Sequence, residues 1–184
     1  MKRITVELLE SLDACEEQVE LFKKLLGNRK WILLTDRNIR QAEKFGLEVK
    51  WMFSSKKTIE TLGITEEIAC LDPKWVYRYA REIAPSDLLE AAAAGDPYWA
   101  YMYARYITPS DLLEAAAAGD PYWAYKYARY IAPSYLLEAA AAEDPMWAYK
   151  YALNIAPSYL LEIASAKDPY WAERYANDFP KNKN

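Results

Sequence analysis

DPYWAYMYARYITPSDLLEAAAAG, residues Asp96 to Gly119, decides the fold because it recurs without gaps. DPKWVYRYAREIAPSDLLEAAAAG precedes it from Asp72; DPYWAYKYARYIAPSYLLEAAAAE and DPMWAYKYALNIAPSYLLEIASAK follow from Asp120 and Asp144; DPYWAERYANDF opens a shorter fifth copy at Asp168. Self-similarity at a fixed short period is the signature of an array whose units stack on their neighbours.

Each unit reads as two helices with little chain between them. Asp96 can accept from the open N–H groups of the first turn, and Pro97 pre-sets φ where its missing donor costs nothing. Helix A therefore starts at Asp-Pro and stops before Pro109, which disfavours helical geometry in the residue ahead of it. Helix B runs through LLEAAAA, with Gly95 or Gly119 at the place where a left-handed residue commonly closes a helix.

At 100° per residue, helix A places Trp99, Tyr103, Ile107, Ala100 and Ala104 on one side and Tyr98, Tyr101, Met102 and Arg105 opposite. Helix B brings Leu112, Leu113, Ala116 and Ala117 together. Helices of about ten residues do not persist alone in water, since nucleation costs more than so few hydrogen bonds return. Each repeat must lean on its neighbours, and a buried column of Trp75, Trp99, Trp123, Trp147 and Trp171 is the expected core.

The expected architecture is all-α: a right-handed α-solenoid of about four and a half 24-residue helix-turn-helix repeats over 61–180, closed by a small, mainly helical cap over 1–60. ITEEIACL, from Ile64 to Leu71, has the register of a degenerate helix B leading straight into Asp72, so the cap is expected to pack on the array without a linker. Such arrays need caps, because an end unit otherwise exposes its stacking face. Within the cap, helices are expected at Thr5–Leu12 and Ala14–Leu26, then after the apolar WILL a third opened by Thr35 or Asp36 and ended by Gly46. LEVKWMF reads as helix or strand, and residues 181–184 as a frayed polar tail.

Composition narrows the function. Apolar residues make up 53% of 184, with 16 Tyr and 7 Trp against 5 Gly, which excludes disorder. No stretch reaches the roughly 18–20 apolar residues that span a bilayer, and MKRITVELLESLD lacks the apolar run of a secretory signal. A soluble, cytoplasmic protein is expected. Net charge is −4, with 12 basic and 12 acidic side chains in residues 1–71 and 11 and 15 in the remainder. Neither part has the basic excess of a general nucleic-acid binder.

Histidine is absent, which removes the commonest general base and metal ligand. Glycine-rich phosphate loops are missing too, and Cys15 and Cys70 lack metal-ligand or redox spacing and read as small buried hydrophobes. No cofactor, no metal and no catalytic residue is expected. The Asp column has a full explanation in helix capping. One carboxylate per unit at Glu90, Glu114, Glu138 and Glu162 reads as a solvated helix face.

What remains is helix A, where Tyr98 and Tyr122, then Tyr77, Tyr101 and Tyr125, then Arg81, Arg105 and Arg129 fall into columns beside Lys126. Tyr and Arg dominate binding hot spots. Two arrangements satisfy the pattern: a ligand-facing strip, or rings interlocked between neighbouring repeats.

DACEEQVELFKKLLG at Asp13–Gly27, TDRNIRQAEKFGLEVKW at Thr35–Trp51 and the DPYWAYKYAR blocks together resemble a family of bacterial and phage proteins with an ACEEQ-type helical module and short helical repeats. That resemblance spans nearly the whole chain and implies a bacterial, prophage or phage origin, with the host cytoplasm as the place of action; it brings no assigned activity and no functional residues. Tetratricopeptide repeats share the paired-helix logic, yet their period is about 34 residues and their Leu-Gly pair is absent. The leading expectation is a non-enzymatic protein-binding scaffold, with inhibition of a bacterial defence complex, in the manner of an anti-CRISPR protein, as its specific form. Single-stranded nucleic-acid binding is one alternative and self-assembly another. The chain itself is expected to be a monomer or weak homo-oligomer without membrane contact.

Overall fold

The computed structural model describes residues 2–180. The expected tail at 181–184 lies outside them. Packing divides the chain into two compact units, Met1–Leu89 and Glu90–Asn184.

In the first unit, β1 (Arg3–Ile4) pairs antiparallel with β2 (Ile32–Leu33), Ile4 opposite Ile32. Around this two-residue ladder stand α1 (Val6–Glu10), α2 (Glu16–Leu26), α3 (Asp36–Lys44), a 3₁₀ turn (Val49–Phe53), α4 (Lys56–Leu62), α5 (Glu66–Ala69) and α6 (Pro73–Glu82). Thr5, Thr35 and Ser55 cap α1, α3 and α4 by accepting from the backbone three residues on. The LEVKWMF segment is neither helix nor strand of ordinary length but that 3₁₀ turn, which buries Val49, Met52 and Phe53. Phe53 stacks on Trp75, ring centroids 5.1 Å apart, so the cap's own core grips the first repeat directly.

From α7 (Asp87–Ala93) onward the helices alternate: α8 (Pro97–Tyr106), α9 (Asp111–Ala117), α10 (Pro121–Tyr130), α11 (Tyr135–Ala141), α12 (Pro145–Asn154), α13 (Tyr159–Ser165) and α14 (Pro169–Asp178). In the second unit each helix A packs on the helix B that follows it and on the next helix A, which makes an all-α helical repeat solenoid. Every helix A opens as read: Asp96, Asp120, Asp144 and Asp168 each accept from the N–H of the Trp three residues on.

Three expectations require correction. Helix B closes without a left-handed residue, for the glycines with positive φ are Gly27, Gly46 and Gly63 and not Gly95 or Gly119. That is why Glu143 and Lys167 can occupy the same place in later repeats. The Trp column is buried only at Trp75, whereas Trp99, Trp123, Trp147 and Trp171 are half-buried. The positions that vanish from solvent are one turn further along helix A, at Tyr103, Tyr127 and Tyr151, and in helix B at Leu113, Leu137 and Leu161. Cys15 is exposed at the start of α2, and only Cys70 is partly covered, its thiol raised in pKa by burial and directed at the Leu88 carbonyl 3.8 Å away.

Candidate functional site

The carboxylate column is not a free solvated face. Ser86 Oγ donates to Glu66 at 2.8 Å, Ser110 to Glu90 at 2.5 Å, and Ser134 and Ser158 make the same bond to Glu114 and Glu138. Each serine hydroxyl simultaneously accepts from the backbone N–H of Leu89, Leu113, Leu137 or Leu161, capping its own helix B. One side chain thus starts a helix and ties it to the preceding repeat. Tyr127, Tyr151 and Tyr175 add a second tie by donating to the carbonyls of Ser110, Ser134 and Ser158. Burial and the neighbouring glutamates push the Tyr151 phenol up to about 12.

On helix A, the sequence strip splits into two layers. Tyr101 and Tyr125 are buried, 6% and 4% exposed, because each lies against the Trp of the following repeat: Tyr101 on Trp123 and Tyr125 on Trp147, both at 5.4 Å. Tyr149 repeats the contact with Trp171 at 5.3 Å. Tyr98 bridges Trp99 and Trp123, and Tyr122 bridges Trp123 and Trp147, at 4.5–4.9 Å. Ring thus follows ring from repeat to repeat, and these tyrosines are chiefly packing. In the first unit, Tyr77 is half-buried with the exposed Arg81 5.7 Å above it, and Arg81 is paired with Glu82 at 2.8 Å.

Above the rings sits a layer of cations. Arg105 and Arg129 are exposed and donate to the Tyr101 and Tyr125 hydroxyls, one helical turn back. Two residues that sequence reasoning passed over complete the layer: Tyr106 and Tyr130, both exposed. Around the Tyr130 ring gather Arg105 at 4.6 Å, Lys126 at 5.3 Å and Arg129 at 5.4 Å. Lys150 covers Trp147 at 4.2 Å and Arg174 covers Tyr170 at 5.5 Å. The signal was present in the residue directly after each column arginine, which turns from Glu82 to Tyr106 and Tyr130.

Over its first three helices this face has no acidic counterweight. PYWAYMYARY, PYWAYKYARY and PMWAYKYALN, the helices α8, α10 and α12, contain no carboxylate at all. Ion pairs such as Lys23–Glu20, Arg40–Asp36 and Arg81–Glu82 lie in the first unit. An open groove of about 450 Å³ runs over α10, α12 and α14, lined by Tyr122, Lys126, Arg129, Trp147, Lys150 and Arg174 among others, none of them acidic. Beside it, Asp178 accepts from the Tyr149 hydroxyl at 2.5 Å, which raises that phenol's pKa.

Helix B carries a different exposed feature, also unanticipated. Tyr135 and Tyr159 stand 78% and 76% exposed where earlier repeats have Asp87 and Asp111, beside exposed Leu136 and Ile163. In the first unit, a small apolar cavity of about 60 Å³ lies among Leu9, Phe22, Ile39, Met52 and Leu62.

No family model, curated protein or solved structure matches the chain. Among the described residues no cluster of His, Cys, Asp and Glu is placed to hold a metal ion, and no helix is long and apolar enough to cross a membrane.

Proposed function

We propose that the protein is a non-enzymatic protein-binding scaffold that presents the helix A face of residues 96–178 to one macromolecular partner. A single observation carries this reading: Arg105, Lys126, Arg129 and Lys150 are fixed on an aromatic floor along helices α8, α10 and α12, which carry no carboxylate, and Arg174 continues the row on α14. Rigid rings offer contact area at small entropic cost, and Arg and Tyr are the side chains that anchor interfaces. The serine and glutamate column of helix B is engaged in holding repeats together, which favours helix A as the face for recognition.

Nucleic acid is the second reading, since aromatic and cationic groups alternate as they do in single-strand binders. Against it stands the use already made of the ring faces: Tyr122 lies between Trp123 and Trp147, and Tyr130 lies under three cations, so bases would have to displace existing contacts. Self-assembly through Tyr135 and Tyr159 is a third, and sedimentation at several concentrations decides it: a monomer throughout removes it.

The bacterial and phage resemblance extends the proposal to a host protein as partner, with a defence complex inhibited by it as the specific form. Affinity capture from the encoding organism's lysate tests the scaffold. A specific protein retained by the wild type and lost on Lys126→Glu with Tyr130→Ala is the expected result. Retention that ignores both substitutions, at unchanged helicity, sinks the assignment to helix A.

A further inference from the structure

Resting on that reading, we infer that the groove over α10, α12 and α14 takes an extended acidic peptide segment whose carboxylates recur at every third residue. The argument is one of charge and of pitch.

Charge comes first. Lys126, Lys150 and Arg174 occupy the same place in three consecutive repeats, and all three line one groove with Arg129. Arg105, Lys126 and Arg129 crowd a single ring, Tyr130, which is 45% exposed. Like charges held this close repel one another, and no carboxylate of the described residues lies within ion-pair reach of Arg105, Lys126, Arg129 or Lys150. The aromatic contacts hold them there even so. An anionic partner relieves that repulsion, whereas a neutral or basic one adds to the desolvation cost.

Pitch selects the kind of anion. Successive A helices pack directly on each other, so their axes are about 8–10 Å apart, and equivalent cations recur at about that interval. A chain extended in the polyproline II conformation has three residues per turn and rises about 3.1 Å per residue, so every third side chain faces the same way at intervals of about 9 Å. A peptide laid along the stack therefore meets one cation at every third residue, and roughly seven to nine residues cover Lys126, Lys150 and Arg174. Carboxylates bunched side by side in a peptide cannot keep that register without bending.

The ring floor favours a peptide over a nucleic acid strand, because the Trp and Tyr rings beneath the cations are already packed against each other. Edges and methylene stems are what the groove offers, and they suit small side chains between the acids.

Fluorescence anisotropy with the full chain tests the register. Two fluorescein-labelled nonapeptides of identical composition are titrated at low and moderate salt: Glu-Ser-Ala repeated three times, and the same residues with the three Glu adjacent. The spaced peptide is expected to bind about tenfold more tightly, with affinity falling as salt rises. K126E/K150E should lose that binding and take up the matching Lys-Ser-Ala peptide instead; circular dichroism reports whether it is folded, and K126Q/K150Q replaces it if it is not. Equal affinity for the two acidic peptides, both lost on charge reversal, overturns the register and leaves the binding face standing. No binding of either peptide, or binding indifferent to the variants, overturns the inference outright. Tight binding of labelled single-stranded DNA in place of the peptides, lost in the same variants, overturns the protein-binding reading with it.

Discussion

The A and B helices of residues 90–180 solve the same problem, holding short helices together, by opposite means. Helix B does it with compact chemistry: a fully buried Leu per repeat, small alanines, and a serine that caps its own helix while donating to the previous repeat's glutamate. Its serines and glutamates are turned toward the neighbouring repeat. Helix A does it with wide rings, Tyr103 and Tyr127 buried and the Trp residues half-buried, and it leaves a row of cations on top of three helices, α8, α10 and α12, that carry no carboxylate. Stability is therefore concentrated in the buried sides of both helices and at the A–B seam, and the outer edge of A is the face proposed for recognition.

The largest effect should come from emptying the B core. Leu137→Ala is expected to cost about 3 kcal/mol in denaturant unfolding, while Leu136→Ala, next to it but nearly half exposed, should cost under about 1 kcal/mol. Similar losses at the two sites would break the contrast between the faces of helix B.

At the seam, pH supplies the probe. The Tyr151 phenol is raised to about 12 in the folded chain, against a value near 10 for an exposed tyrosine. The folded state thus holds that proton more firmly, so its contribution is complete below about pH 10 and is lost as pH rises through about 12. Tyr151→Phe should flatten the alkaline fall in stability, followed by circular dichroism between those limits; an unchanged slope would assign the fall to other tyrosines.

Next comes the ladder. Ser134→Ala removes a cap and Glu114's partner together and should cost about 1–2 kcal/mol. A double-mutant cycle with Glu114→Ala measures the coupling, and additivity would return the glutamates to solvent. Smallest is the outer layer of A: Arg105→Gln should change stability by less than about 0.5 kcal/mol, since its guanidinium is exposed and, among the described residues, donates to the Tyr101 hydroxyl rather than to a carboxylate. A larger loss would make that cation part of the scaffold.

Much of this was legible beforehand, because the repeat supplies its own alignment. Asp96 and Pro97 announce a helix start by local chemistry alone, and the observed caps follow. The cap region was legible as helices with Thr35 and Gly46 at their ends, but the strand pair between Ile4 and Ile32 was not. Two residues bonded across some thirty positions leave no periodic trace.

The sequence by itself determined the period, the helix pairs, the Asp-Pro starts and the concentration of Tyr, Arg and Lys on helix A, since these depend on backbone geometry and on which residues recur. Only the tertiary structure decided that Tyr101 and Tyr125 lie beneath the next repeat's Trp, that Glu90 and Glu114 are hydrogen-bonded to the next repeat's serines, and that three cations meet over Tyr130. Each is a contact between one repeat and the next. A helical projection treats each helix alone, so it grouped Leu112, 49% exposed, with the buried Leu113, and it cannot say which face the neighbouring repeat will cover.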